Sequence, residues 1–273
     1  MKEKFLNAKT EGDRVDIIAD AANRTYQKTA VDPYGRFRSW EHCYVAFGRV
    51  IKKDKIDDKV IDYLSLHLAF YLASWGMYRG SAAILQRDYR VHEPVVRTLL
   101  KPDYRELRDV SAAEVLQMAK DSSIEQFQLP EKSKLFRIYN EIKIIYDDVC
   151  KKVRQSQDQS RGEVCNSQTA ASKTLVTKVL MGTLGCIPAY DRYVERALKE
   201  LRVDKRSSPL NSVCELARLY DVHKQKFEDV RKDLKIGDDK RLSYPQMKLL
   251  DMGLWRVGLE LTEDETGKRF DIS

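Results

Sequence analysis

Apolar residues recur at helical spacing along nearly the whole chain. Val60, Leu64, Leu68, Tyr71 and Trp75 form one stripe, and residues three and four apart share a helical face, so this segment predicts a central core helix. The surrounding run from Tyr63 to Tyr78 is the most apolar of the chain, yet Ser65, His67 and Ser74 interrupt it and it is too short for a bilayer. Leu135, Ile138, Ile142, Ile145, Val149 and Val153 predict a long helix that begins just after Pro130. Leu210, Val213, Ala217, Tyr220, Phe227, Val230 and Leu234 predict a second long helix, with Pro209 near its first turn. Met247, Leu250, Leu254 and Val257 predict the last. Ser243-Tyr-Pro-Gln246 introduces it with the S-x-x-Q pattern of a capping box.

One stretch breaks the periodicity. Residues 154–168 (RQSQDQSRGEVCNSQ) are polar and hold a single aliphatic side chain, which predicts a surface loop or hinge. The expected organisation is therefore an N-terminal helical lobe over 1–153, a hinge over 154–168 and a C-terminal helical lobe over 169–273. Twelve Gly and seven Pro in 273 residues are too few for the turns of an all-β chain. No repeat of solenoid period is present. The fold class these features predict is all-α, a multi-helix bundle of two lobes packed orthogonally, with no sheet beyond a stray hairpin.

Composition sharpens that picture. With 42% apolar and 33% charged residues, the chain has enough apolar mass for a core and excludes a mostly disordered state. The formal net charge of +7 is spread out, with 29 basic against 25 acidic residues over 1–168 and 20 against 17 over 169–273. Such a surface permits a polyanionic partner without demanding one. Five cysteines stand apart without CxxC spacing (Cys43, Cys150, Cys165, Cys186, Cys214), so a reducing compartment is expected and neither a zinc ribbon nor a redox pair is indicated. The N-terminal residues MKEKFLNAKTEGDR lack the apolar core of a signal peptide. A soluble cytoplasmic protein with no membrane partner is the expectation.

The densest chemical signal runs from Ser172 to Val194 (SKTLVTKVLMGTLGCIPAYDRYV). Its first part reads as a helix, the Gly185-Cys-Ile-Pro188 segment as a turn, and Asp191 falls at the start of the next helix. At 100° per residue from Val176, Lys173 lies about 60° from the apolar centre and Lys178 about 160° away. Lys173 is then expected to border the buried face and Lys178 to point to solvent. An aspartate opening a helix after a proline also suits helix-capping preferences, with no chemistry required.

Lys173-Thr174, Gly185, Pro188 and Asp191 resemble the helix-hairpin-helix DNA glycosylase superfamily, in which a lysine-bearing helix, a turn and an aspartate follow in that order. The resemblance implies Asp191 and Lys173 as catalytic residues: the carboxylate stabilises positive charge on the sugar, and the lysine attacks it as an amine. Asn166 to Ala171 differ from that family by lacking the glycines of its phosphate-binding hairpin. The Gly185–Tyr193 segment is also similar to bacterial helical proteins carrying G-x-x-P-x-Y-D-R-Y.

Arginines interleave with aromatics elsewhere. Arg79, Arg87, Arg90 and Arg97 stand among Trp75, Tyr78, Tyr89 and His92, a composition able to line a nucleic-acid groove or to form an ordinary solvated face. Arg105 and Arg108 extend this basic set, and Arg192 beside Asp191 completes the residues expected to meet DNA or RNA. His42, His67, His92 and His223 are isolated, and no metal-ligand spacing or cofactor motif occurs. Two functions follow: a nucleic-acid-binding, glycosylase-like enzyme with DNA or RNA as partner, or a non-enzymatic helical interaction or scaffold protein.

Overall fold

The computed structural model describes residues 1–53, 55–80, 82–120, 128–161, 170–203, 208–237 and 242–266. The helices are α1 (Lys2–Leu6), α2 (Glu11–Val31), α3 (Arg38–Val50), α4 (Asp58–Ser74), α5 (Glu93–Leu99), α6 (Pro102–Arg105), α7 (Ala112–Lys120), α8 (Lys134–Arg161), α9 (Lys173–Thr183), α10 (Arg192–Glu200), α11 (Pro209–Val222), α12 (Lys224–Arg231) and α13 (Gln246–Thr266). Helix makes up 72% of the described residues, so an all-α, multi-helix bundle is what forms. The hairpin is present as two short antiparallel strands, β1 (Lys235–Ile236) and β2 (Leu242–Ser243), paired Lys235 with Ser243. Among the described residues no helix is long and apolar enough to cross a membrane.

The chain divides into two compact units, each assembled from separated stretches. A first unit holds residues 1–33, 109–130 and 185–273, and a second holds 34–108 and 131–184. This is a different division from one at the polar run, because both units draw on sequence from either side of it. Nor is the whole run a hinge: α8 continues through Arg161. Its Gln and Arg residues favour helix in water, and no Gly or Pro stops it before Gly162. The rest of the expected hinge, with Cys165, lies outside the described residues.

The core of the first unit is α13, whose Met247, Leu250, Leu254, Val257 and Leu261 are all buried. It packs against α2 and α10. Gly258 makes the second contact possible, since a Cβ there would overlap the Tyr193 carbonyl. The α2 helix starts at a closed capping box, Thr10 Oγ1 accepting from the Asp13 amide and Asp13 Oδ2 from that of Thr10. The long helix expected over 209–234 is broken: α11 ends and α12 begins at His223, while Tyr220 and Phe227 stay stacked at 4.8 Å across the break. That stacking preserves the apolar spacing, so the pattern reads continuous where the backbone is not. The expected capping box at Ser243 is also replaced. Ser243 lies in β2, and Gln246 opens α13 with its side chain turned elsewhere, Oε1 accepting from the Ala112 amide and Nε2 donating to Glu228.

The second unit packs α4 against α3 and α9, and α8 against α5 and α9. In α9 every residue from Leu175 to Thr183 is buried. The α4 helix buries Ile61, Leu64, Leu68, Tyr71 and Leu72 and turns Tyr63, Leu66 and Phe70 outward. Its apolar run therefore covers more than the buried face.

Candidate functional residues

Gly185 to Tyr193 is held at every residue that carries chemistry. Gly185, with φ +67°, follows the end of α9 in the left-handed region that glycine tolerates. The Ala189 amide donates to Asp251 Oδ1 on α13 at 2.9 Å. Asp251 Oδ2 accepts from Lys248 Nζ at 2.8 Å, and both charged side chains are buried. Tyr190 is fully buried, its hydroxyl accepting from Ser212 Oγ at 2.8 Å.

Asp191 is the N-cap of α10. Its Oδ1 accepts from the amides of Tyr193 at 3.0 Å and Val194 at 3.1 Å, two of the donors that a helix start leaves without intrahelical partners. Arg192 lies over the Tyr193 ring, 4.5 Å from its centroid. Lys173 is the first residue of α9, after Ser172 has capped that helix by accepting from the Leu175 amide. Lys173 belongs to the second unit, whereas Asp191 and Arg192 belong to the first.

Lys178 departs from the helical wheel. It is 5% exposed, its Nζ donates to the Trp75 carbonyl at 2.9 Å, and it sits 5.7 Å from the Trp75 ring centroid. The wheel assigned it to solvent because sequence gives one helix's apolar direction but not how many neighbours surround it. Here the cation meets the carbonyl end of α4, where the helix dipole favours positive charge.

Arg79, Arg87, Arg90 and Arg97 all fall in the second unit and are exposed. Two of them meet acids of α4: Arg97 Nη2 lies 2.7 Å from Asp58, and Arg90 Nε 3.8 Å from Asp62, which also accepts from Tyr89. Arg79 packs over Gly76. Arg105 and Arg108 do not extend this surface. Arg105 binds the carbonyls of Leu100 and Lys53, and Arg108 those of Thr183 and Tyr44, so both guanidinium groups close backbone ends.

His92 is the residue whose setting the sequence most concealed. It is fully buried, with Nε2 2.6 Å from the Tyr78 hydroxyl and Nδ1 2.7 Å from that of Tyr146. Burial drives its pKa down to about 3, so the ring is neutral. A neutral imidazole has one donor and one acceptor. Tyr146 is itself fully buried, so its proton is best used on Nδ1. Nε2–H then donates to Tyr78, which is half-buried and keeps its own proton for water. Burial lifts both phenols, Tyr78 to about 12 and Tyr146 well above the ordinary tyrosine value. His67 is half-buried against Tyr63, and desolvation lowers its pKa. Cys43, Cys150, Cys186 and Cys214 are buried free thiols, and burial raises the pKa of each, which keeps them poor nucleophiles.

The chain matches no family model, no curated protein and no solved structure.

Proposed function

We propose that this chain is a non-enzymatic helical interaction protein whose docking face is the outer side of α4. The observation that carries the reading is the run of Tyr63, Leu66 and Phe70, which are 44%, 54% and 57% exposed. Their i, i+3, i+7 spacing forms one uncharged stripe, the pattern by which an amphipathic helix enters a partner's groove. Large apolar side chains exposed in register mark contact surfaces. The role of Asp191 supports the same reading: an oxygen that caps two amides stabilises α10, and this needs no substrate.

A photo-crosslinking residue at position 66 of the full chain, expressed in its native cell, tests it. Adducts are expected from position 66 and not from Asp148, an exposed site on α8. They are also expected to persist in Asp191→Ser, which keeps the cap and removes the carboxylate. No adduct from position 66, together with release of damaged bases from duplex DNA that Asp191→Ser abolishes, would overturn it in favour of the glycosylase-like reading.

A further inference from the structure

Within the first unit, the end of α10, the start of α2 and one side of α11 enclose a cleft of about 340 Å³. That volume lies in the roughly 300–1,000 Å³ range of small-ligand sites. Lys9, Arg14, Arg202 and Arg218 stand in its wall against two carboxylates, Glu11 and Glu215.

Glu11 is already engaged. Its Oε2 lies 2.8 Å from Arg218 Nη2 and its Oε1 3.1 Å from His223 Nε2. The Arg218 hydrogen bond holds the Glu11 carboxyl below the usual range. Lys9, Arg14 and Arg202 have no acidic partner among the described residues. Arg14 Nε is shut off from water and has no hydrogen-bond partner among the described residues. A nitrogen that water cannot reach is not open to a ligand either, so it is the wall as a whole, with four cationic side chains against two carboxylates, that offers room for an anion.

Arg202 supplies an independent observation. The Val203 amide bonds to the Leu198 carbonyl and the Arg202 amide to that of Lys199. This helix ending places its residue after the cap in the left-handed region, and Arg202 has φ +58°. Glycine is the ordinary occupant because a Cβ is strained there. Here the chain holds an arginine in that conformation at the rim of the cleft. Strain maintained at such a place is a mark of a site.

We propose that this cleft binds a small phosphate-bearing ligand. Three cations without acidic partners among the described residues match the two or more negative charges of a phosphate or diphosphate better than the single charge of a carboxylate. Two guanidinium groups provide forked donors that suit its oxygens.

Calorimetric titration of the full chain at low ionic strength with sodium pyrophosphate, inorganic phosphate and acetate tests the assignment. Pyrophosphate is expected to bind more tightly than phosphate, and acetate not to bind. Arg14→Gln should weaken pyrophosphate about ten-fold or more, a loss of one full charge-assisted contact. Lys232→Gln, an equal charge loss away from the cleft, should leave binding unchanged. Arg202→Gly should raise the melting temperature of the ligand-free protein while weakening pyrophosphate, which separates loss of the site from loss of the fold. Absence of heat with both phosphates would overturn the proposal. So would equal weakening by Lys232→Gln, or a bound single-stranded oligonucleotide that pyrophosphate fails to displace.

Discussion

Arg108 lies over Tyr44, its guanidinium carbon 3.6 Å from the ring centroid. Tyr44 is stacked in turn on Trp40, 4.8 Å away and nearly parallel. The two ends of this column bind the last turn of α9, Trp40 Nε1 donating to the Met181 carbonyl and Arg108 to that of Thr183. Gly48 leaves the space that the guanidinium fills, for a Cβ there would overlap it. Gly48→Ala should therefore displace Arg108 and destabilise the protein by about 1–3 kcal/mol. Arg108→Lys should cost a similar amount, because an ammonium neither stacks flat nor reaches two carbonyls. Urea denaturation of both variants checks this, and two unchanged midpoints would show the column to be dispensable.

Asp191 provides a test of capping. Ala at this position should lower stability by about 1 kcal/mol, whereas Asn and Ser, which offer the same acceptor, should be close to neutral. Equal losses in all three variants would require a role for the carboxylate charge itself.

His92 makes stability depend on pH with a defined sign. Its folded pKa, about 3, lies below the ordinary 6.5, so the unfolded chain binds the proton more readily. The stabilisation is complete above about pH 6.5 and is lost as pH falls toward 3, at up to about 1.4 kcal/mol per pH unit. Denaturation midpoints at pH 7 and pH 5 should differ more in the wild type than in His92→Gln. Tyr146→Phe should cost about 1–3 kcal/mol by leaving a buried ring nitrogen unpaired, and Tyr78→Phe less, since water reaches that side.

Lys248 and Asp251 are buried together, so removing Lys248 takes from the Asp251 carboxylate the cation 2.8 Å away. Lys248→Met is expected to cost about 3–5 kcal/mol. The double variant Lys248→Met/Asp251→Leu should recover part of that loss while still lacking the acceptor for the Ala189 amide. A double-mutant cycle by thermal denaturation measures both terms.

What was legible in the sequence follows from what is local. The α4, α8 and α13 helices could be read from apolar spacing, and Pro209 marked the start of α11. The break at His223 was hidden because the Tyr220–Phe227 stack maintains the spacing across it. Lys178 and His92 were misplaced for a shared reason: periodicity finds one buried face and cannot see a helix or turn enclosed on several sides. The division into units was invisible to a reading that sought a polar boundary, since the chain changes unit after residues 33, 108, 130 and 184, none of them in the polar run. The paired amides that make Asp191 a cap were foreseeable from its place after Pro188. Arg14 and Arg202 carried no motif, and only the left-handed backbone at Arg202 sets that residue apart.

The interleaved units also set an order of events during synthesis. The second unit has all of its sequence once residue 184 has emerged from the ribosome. At that moment the first unit has only residues 1–33 and 109–130, and α13, which fills its core, is still unmade. The inner face of α2, with Val15, Ile18 and Ala22, packs on α13 and must wait without that cover for as long as the ribosome needs to add some eighty residues, roughly 4–16 s at 5–20 residues per second. That helix is where a nascent-chain chaperone has the longest opportunity to bind, and a chain truncated before Gln246 keeps that opportunity open permanently.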